Sequence, residues 1–72
     1  MNLYKDALNA LVVAPLDAVD ETSTPSYATI KELRDAGHVT ALYSGADDGD
    51  SFMNIAITLR GRRFQSELNA NA

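Results

Sequence analysis

Across the segment STPSYATIKELRDAGHVTALYSGADDGDSFMNIAITLRGRRFQSEL the hydrophobic period changes twice, and turn-forming residues punctuate each change. Tyr27, Ile30 and Leu33 recur at helical spacing, while Lys31, Glu32 and Asp35 fall elsewhere on the turn. Gly37 fits the left-handed position just past a helix end. From His38 to Tyr43 the period drops to two: Val39, Ala41 and Tyr43 point one way, and His38, Thr40 and Leu42 the other. The residues SGADDGD that follow are turn formers, with Asp48-Gly49 as a hairpin dipeptide. Ser51 to Ile57 alternates again, with Met53, Ile55 and Ile57 on one face. Pairing Val39 with Ile57, Ala41 with Ile55 and Tyr43 with Met53 puts all six on the core side, so pattern and register agree on a hairpin. Thr58 then caps a last helix, LRGRRFQSEL, with Leu59, Phe64 and Leu68 facing inward. Gly61 costs that helix about 1 kcal/mol against alanine, which points to close packing of the helix start on a neighbour.

Upstream, Leu3, Tyr4, Ala7, Leu8, Leu11 and Val12 form one apolar stripe at helical spacing, with Asn2 able to cap the start. Pro15 ends this helix or opens a short next one, and LDAVDE reads as a single helical turn. Thr24 and Pro25 read as N-cap and first residue of the helix that runs to about Ala36. The tail NANA is expected to fray. The order is α, short α, α, β, β, α. That is a single α+β domain over residues 1–72, with three main helices and a two-stranded antiparallel wing.

A chain of 72 residues buries only about 60% of its unfolded surface. An apolar share of 46% and a net charge of −4 are those of a folding chain rather than a disordered one. Without cysteine there is no disulfide framework and no thiolate zinc site. No apolar run approaches the length of a membrane span, and no signal sequence opens the chain, so a cytoplasmic protein is expected. The charge is uneven. Residues 1–50 hold nine acids and three bases, against one acid and three bases in residues 51–72. Nucleic-acid binders are usually basic. Here Lys31, Arg34, Arg60, Arg62 and Arg63 are the candidates for a phosphate-facing surface.

The pattern Ile30, Leu33, Gly37, Val39, then a strand, a polar turn, a strand, and Ile57, Thr58, Gly61, Arg62 and Phe64 resembles winged helix-turn-helix proteins. Among these are bacterial repressor domains and short bacterial and prophage-borne proteins of unknown function of the YjcQ-like kind. The resemblance covers roughly residues 24–68. It implies that the helix from Pro25 to Ala36 corresponds to the recognition helix that enters a major groove. Ser26, Tyr27 and Thr29 would then face bases, and Lys31, Arg34, Arg60, Arg62 and Arg63 would contact phosphate. The implied function is binding of double-stranded DNA in transcription control, with a homodimer as its natural form.

A second reading stands beside it. The wing aspartates Asp47, Asp48 and Asp50 would repel phosphate, where DNA-binding wings present Arg or Lys. Together with Asp17, Asp20 and Glu21 they would suit a basic protein partner, making the chain a non-enzymatic interaction module. The outer face of the hairpin, read as Leu42, Phe52 and Ala56 beside Thr40 and Asn54, is a candidate interaction patch centred on Leu42 and Phe52. No enzyme is expected. The lone His38 has no nucleophile in a recognisable motif, no glycine-rich phosphate cradle is present, and the DDGD turn lacks the spacing of a calcium loop. Neither cofactor nor metal is called for.

Overall fold

The computed structural model describes residues 3–46 and 49–70. The Asn2 cap, Asp47, Asp48 and the last two tail residues lie outside the described residues. Chain order is α1 (Leu3–Val13), β1 (Leu16–Asp20), α2 (Tyr27–Asp35), β2 (Val39–Ala46), β3 (Gly49–Ile57) and α3 (Leu59–Ala70). The architecture is α+β, with three helices and one antiparallel sheet in the order β1-β3-β2.

The sheet has three strands rather than two. The LDAVD segment, expected as a helical turn, is strand β1 and pairs Leu16 with Ile55, Ala18 with Met53 and Val19 with Phe52. Its five residues carry no clean period, with Val19 alone fully buried. Pairing with β3 decides its state, as is usual for short segments whose local preference is weak.

Helix α2 begins two residues later than expected. Ser26, not Thr24, is its N-cap, with extended backbone and an Oγ that accepts the Thr29 N–H at 3.5 Å. Its end is as expected: Gly37 has a φ of +83°, its N–H donates to the Arg34 carbonyl, and the His38 N–H donates to the Leu33 carbonyl at 2.8 Å. Glycine takes this left-handed position without the Cβ penalty.

The hairpin register matches expectation only at its base. Val39 pairs with Ile57 and Thr40 with Ala56, but Leu42 pairs with Met53 and Tyr43 with Phe52. Between these pairs Ala41 stands opposite both Asn54 and Ile55. Asn54 holds a φ of +53°, a conformation asparagine tolerates better than most residues. This β-bulge switches the faces of β3. Phe52 and Ile55, three residues apart, are both buried, and Met53 turns outward.

The core joins Ala7, Leu8 and Leu11 of α1 to Ile30 and Leu33 of α2, and these to Val19, Val39, Phe52 and Ile55 of the sheet. Phe64 and Leu68 of α3 pack against it, whereas Leu59 is 70% exposed. The helices therefore cover one face of the sheet. Gln65 and Asn69 both donate to Asn9 Oδ1, at 2.8 and 3.2 Å, fastening α3 to α1. The helix thus runs through the first two residues of the tail that was expected to fray.

Candidate interaction surfaces

The register places each side chain of the sheet. Directly paired residues share a face. One outer row is Ala18, Met53 and Leu42, with Met53 45% and Leu42 61% exposed. The next row toward the hairpin tip is Asp20, Ser51 and Ser44, and Thr40 with Ala56 follow toward the hairpin base. Phe52, expected on this outer face, is instead 1% exposed in the core. Its ring stacks on Tyr27 at 4.8 Å and 13°, meets the edge of Tyr43, and lies 5.4 Å from the Arg34 guanidinium carbon. The bulge at Asn54 is the cause: it moves the apolar outer position from Phe52 to Met53.

Two of the three residues expected to face bases are turned inward. Tyr27 packs against the core on Phe52. Thr29 is buried, and its Oγ1 lies 3.3 Å from the Ser26 Oγ. Ser26 itself is occupied as the helix cap. Tyr27 stands three residues before the buried Ile30 on the same stripe of α2, and Thr29 adjoins it. The two basic groups of α2 are also engaged. Lys31 pairs with Asp35 at 3.3 Å. Arg34 Nε donates to the Ala41 carbonyl at 3.1 Å, closing part of the free edge of β2.

The remaining three bases are grouped. Arg60, Arg62 and Arg63 are exposed on the first turns of α3, and none of them is in an ion pair among the described residues. The corner they occupy is built tightly. Thr58 Oγ1 donates to the Gly37 carbonyl at 2.8 Å and accepts the Gly61 N–H at 3.0 Å, while the Thr58 N–H donates to the His38 carbonyl. The Arg60 stem passes beside Gly37. Cations at a helix N-terminus are mildly unfavourable, so the helix dipole does not account for three of them.

The acids collect at the opposite end of the hairpin. Asp20 closes β1, pairs with Ser51, and is followed by Glu21; Asp50 is the second residue of β3. Asp20 Oδ1 accepts from the Thr22 N–H, the Thr22 hydroxyl and the Ser23 hydroxyl, which together hold its carboxyl below the usual carboxylate range. Tyr43 donates to Asp50 at 2.5 Å, and this bond raises the phenol above its ordinary value. The signs give a pH dependence. A depressed carboxylate stabilises the fold above its unfolded value, about 4, and that contribution is lost as pH falls through the folded value. Thermal melts of wild type and Asp20→Ala should therefore differ near neutral pH and converge in acid. A gap that stays constant with pH would mean that the charge of Asp20 is not involved.

At the α1–α2 junction the Tyr4 hydroxyl donates to Glu32, which raises the Tyr4 phenol. Beside it the His38 ring stacks on Phe64 at 4.4 Å, and His38 Nδ1 is buried without a hydrogen-bond partner. Among the described residues no group of three or more His, Asp or Glu is placed to hold a metal ion, and no helix is long and apolar enough to cross a membrane.

What sequence reasoning missed on this surface is Ala18 and Met53, beside the expected Leu42. The signal was present in Asn54, a left-handed former in the middle of an otherwise β-rich run. No family model, curated protein or solved structure matches this chain.

Proposed function

We propose that the protein is a non-enzymatic interaction module on a winged-helix-like scaffold, and that it docks on another protein instead of reading DNA through α2. The scaffold reading is supported by a strand between the first two helices, a two-stranded wing and a capped helix after it. One helix, not two, separates β1 from β2, and a bend at residues 21–25 stands where the family's second helix would be.

The observation that carries the protein-partner reading is the open face of the sheet. It presents the apolar row Ala18–Met53–Leu42 and borders Asp20 toward the hairpin tip. A partner with an apolar strip flanked by basic groups fits that arrangement. Helix α2 is poorly suited to a groove. Tyr27 and Thr29 face inward, and its exposed charges Lys31, Glu32, Arg34 and Asp35 cancel, leaving no net attraction to phosphate.

A second reading rests on Arg60, Arg62 and Arg63: phosphate contact by this corner alone, as an auxiliary contribution to DNA binding in transcription control. One titration separates the two. Fluorescence anisotropy is recorded with labelled random duplex DNA and with a labelled peptide alternating lysine and leucine, each at several salt concentrations. The expected result is micromolar binding of the peptide, lost in Met53→Asp, and little or no binding of the duplex. Three phosphate contacts would limit the duplex salt slope to about −3. A steeper slope, together with weakening by Lys31→Ala and Arg34→Ala, would reinstate α2 as the DNA-reading element.

A further inference from the structure

We infer that the free edge of β2 pairs with the same edge of a second copy, antiparallel about a twofold axis at Ser44, so that two three-stranded sheets join into one. This contact uses the rim of the sheet and leaves its open face, with the docking function proposed above, uncovered. Strand order β1-β3-β2 leaves two rims without a neighbouring strand among the described residues. A rim offers unpaired N–H and C=O groups to any strand that reaches it, and folded chains defend it with charge, proline or short length. β1 is defended. Five residues long, it carries Asp17 and Asp20, and the Asp20 N–H is taken by the Ser23 Oγ at 2.9 Å. β2 is not: its 8 residues, VTALYSGA, hold neither charge nor proline.

The ladder fixes which backbone groups of β2 are free. The His38 carbonyl accepts the Thr58 N–H, so His38 turns its backbone toward β3. Alternation turns Thr40, Leu42 and Ser44 the same way, and Val39, Ala41, Tyr43 and Gly45 outward. Arg34 agrees with this phase, because its Nε reaches the outward Ala41 carbonyl at 3.1 Å. That bond blocks strand addition at Ala41. Toward the hairpin tip, Tyr43 and Gly45 keep their outward N–H and C=O groups, with Ser44 between them.

This arrangement is complementary to itself. An antiparallel copy centred on Ser44 sets Tyr43 of each chain opposite Gly45 of the other, and the two residues exchange both N–H···O bonds. Moving the centre to Tyr43 or Leu42 would draw Ala41 into the pairing and displace Arg34. On the core face each Tyr43 then stands beside a glycine. The space there is already shared: a Cβ on Gly45 would lie 2.7 Å from the Tyr43 hydroxyl of its own chain. On the outer face Ser44 meets Ser44 on the axis, a pair without charge. The edge of β1 in the same role would bring Asp17 and Asp20 against their copies, like charge on like. A charged peptide finds no counter-charge along β2, whereas a second β2 brings no charge to desolvate. The contact is isologous and consumes the edge it uses, so it closes at two copies. The paired stretch is short, and the net charge of −4 on each copy opposes association. The expected dimer is accordingly a weak one, with micromolar dissociation or weaker.

Sedimentation equilibrium and amide hydrogen exchange of the full chain, each over a concentration series, test this. Wild type should move from monomer to dimer. The Tyr43 and Gly45 amides should gain protection as it does so, and the Val39 amide should not. Ser44→Lys and Ser44→Glu each put like charges on the axis, directly opposite one another. Each alone should raise the dissociation constant by about tenfold or more, while circular dichroism and melting of the dilute chain stay close to wild type. Mixed, they should form a heterodimer in preference to either homodimer, because lysine then faces glutamate. Met53→Asp, on the open face, should leave the dimer unmoved. A chain that stays monomeric throughout, a dimer whose Tyr43 and Gly45 amides exchange freely, or a dimer indifferent to Ser44→Lys would overturn the edge contact. A monomer that binds the lysine–leucine peptide would reject the dimer and keep the docking function. A dimer that ignores the peptide would do the reverse.

Discussion

Gly61→Ala is expected to destabilise the fold by about 3 kcal/mol or more, although alanine is the better helix former. A Cβ built at this position would lie 1.9 Å from the His38 carbonyl oxygen and 2.8 Å from Ile57 Cγ1. The first of these is backbone and has no rotamer by which to yield. It is also in use, accepting the Thr58 N–H at 3.1 Å. Relieving the clash means moving the start of α3 off the base of the hairpin, which strains the Thr58 cap and its bond to the Gly37 carbonyl. The gain of about 1 kcal/mol in helix propensity is outweighed by overpacking against fixed atoms, typically 1–3 kcal/mol and sometimes more, together with lost capping, about 1 kcal/mol. In a domain of this size each kcal/mol moves the melting temperature by roughly 4–8 °C. Thermal denaturation of Gly61→Ala should thus show a drop of more than about 10 °C. A melting temperature equal to or above that of wild type would show that the corner has room the structure does not give it.

Phe52→Ser is expected to unfold the chain outright. Phe52 is fully buried between Tyr27, Tyr43 and the Arg34 guanidinium. Removing a buried phenyl ring costs about 3–5 kcal/mol, and the hydroxyl left behind adds the penalty of an unpaired buried polar group. Total stability for 72 residues is of the order of 4–11 kcal/mol, so this one change removes much or all of it. Met53→Ser, one residue along, should alter stability by less than about 1 kcal/mol, because Met53 stands on the open face. Chemical denaturation of both variants measures the contrast. Comparable losses in the two would mean that β3 does not switch faces at Asn54.

That contrast also marks how far the sequence was legible. Elements with a strong period and an unambiguous stop were readable: α1 from its apolar stripe, the end of α2 from Gly37, the hairpin from its turn, α3 from Thr58 and the close packing of Gly61. The strand β1 was not, since five residues with three outward positions carry too little pattern to outweigh a neighbouring strand. The start of α2 was misplaced because Thr24-Pro25 and Ser26 both satisfy local capping rules, and only the tertiary position of Tyr27 on Phe52 selects between them. The resemblance assigns Tyr27 and Thr29 to the surface, whereas Tyr27 packs against the core and Thr29 is buried. Of the two residues expected on the outer face of the hairpin, Leu42 is exposed and Phe52 is not. Strict alternation through Met53, Ile55 and Ile57 was a sound inference from period two, defeated by a single left-handed residue. The three arginines of α3 were legible as an exposed group, and none is in an ion pair among the described residues.

The left-handed turn of the backbone at Asn54 divides β3 into two stretches with opposite phase. Against β2, residues 55–57 keep step with the base of the hairpin and residues 49–53 with its tip, while β1 pairs across the division, Leu16 with Ile55 and Ala18 with Met53. Each stretch therefore fixes its own inside and outside. The tip half of the hairpin can drift in sequence, lengthen or shorten by whole residue pairs, and present a new outer surface without disturbing the joint where the two helix ends meet. A fold of this size thereby separates the part that must stay constant from the part that is free to be rewritten.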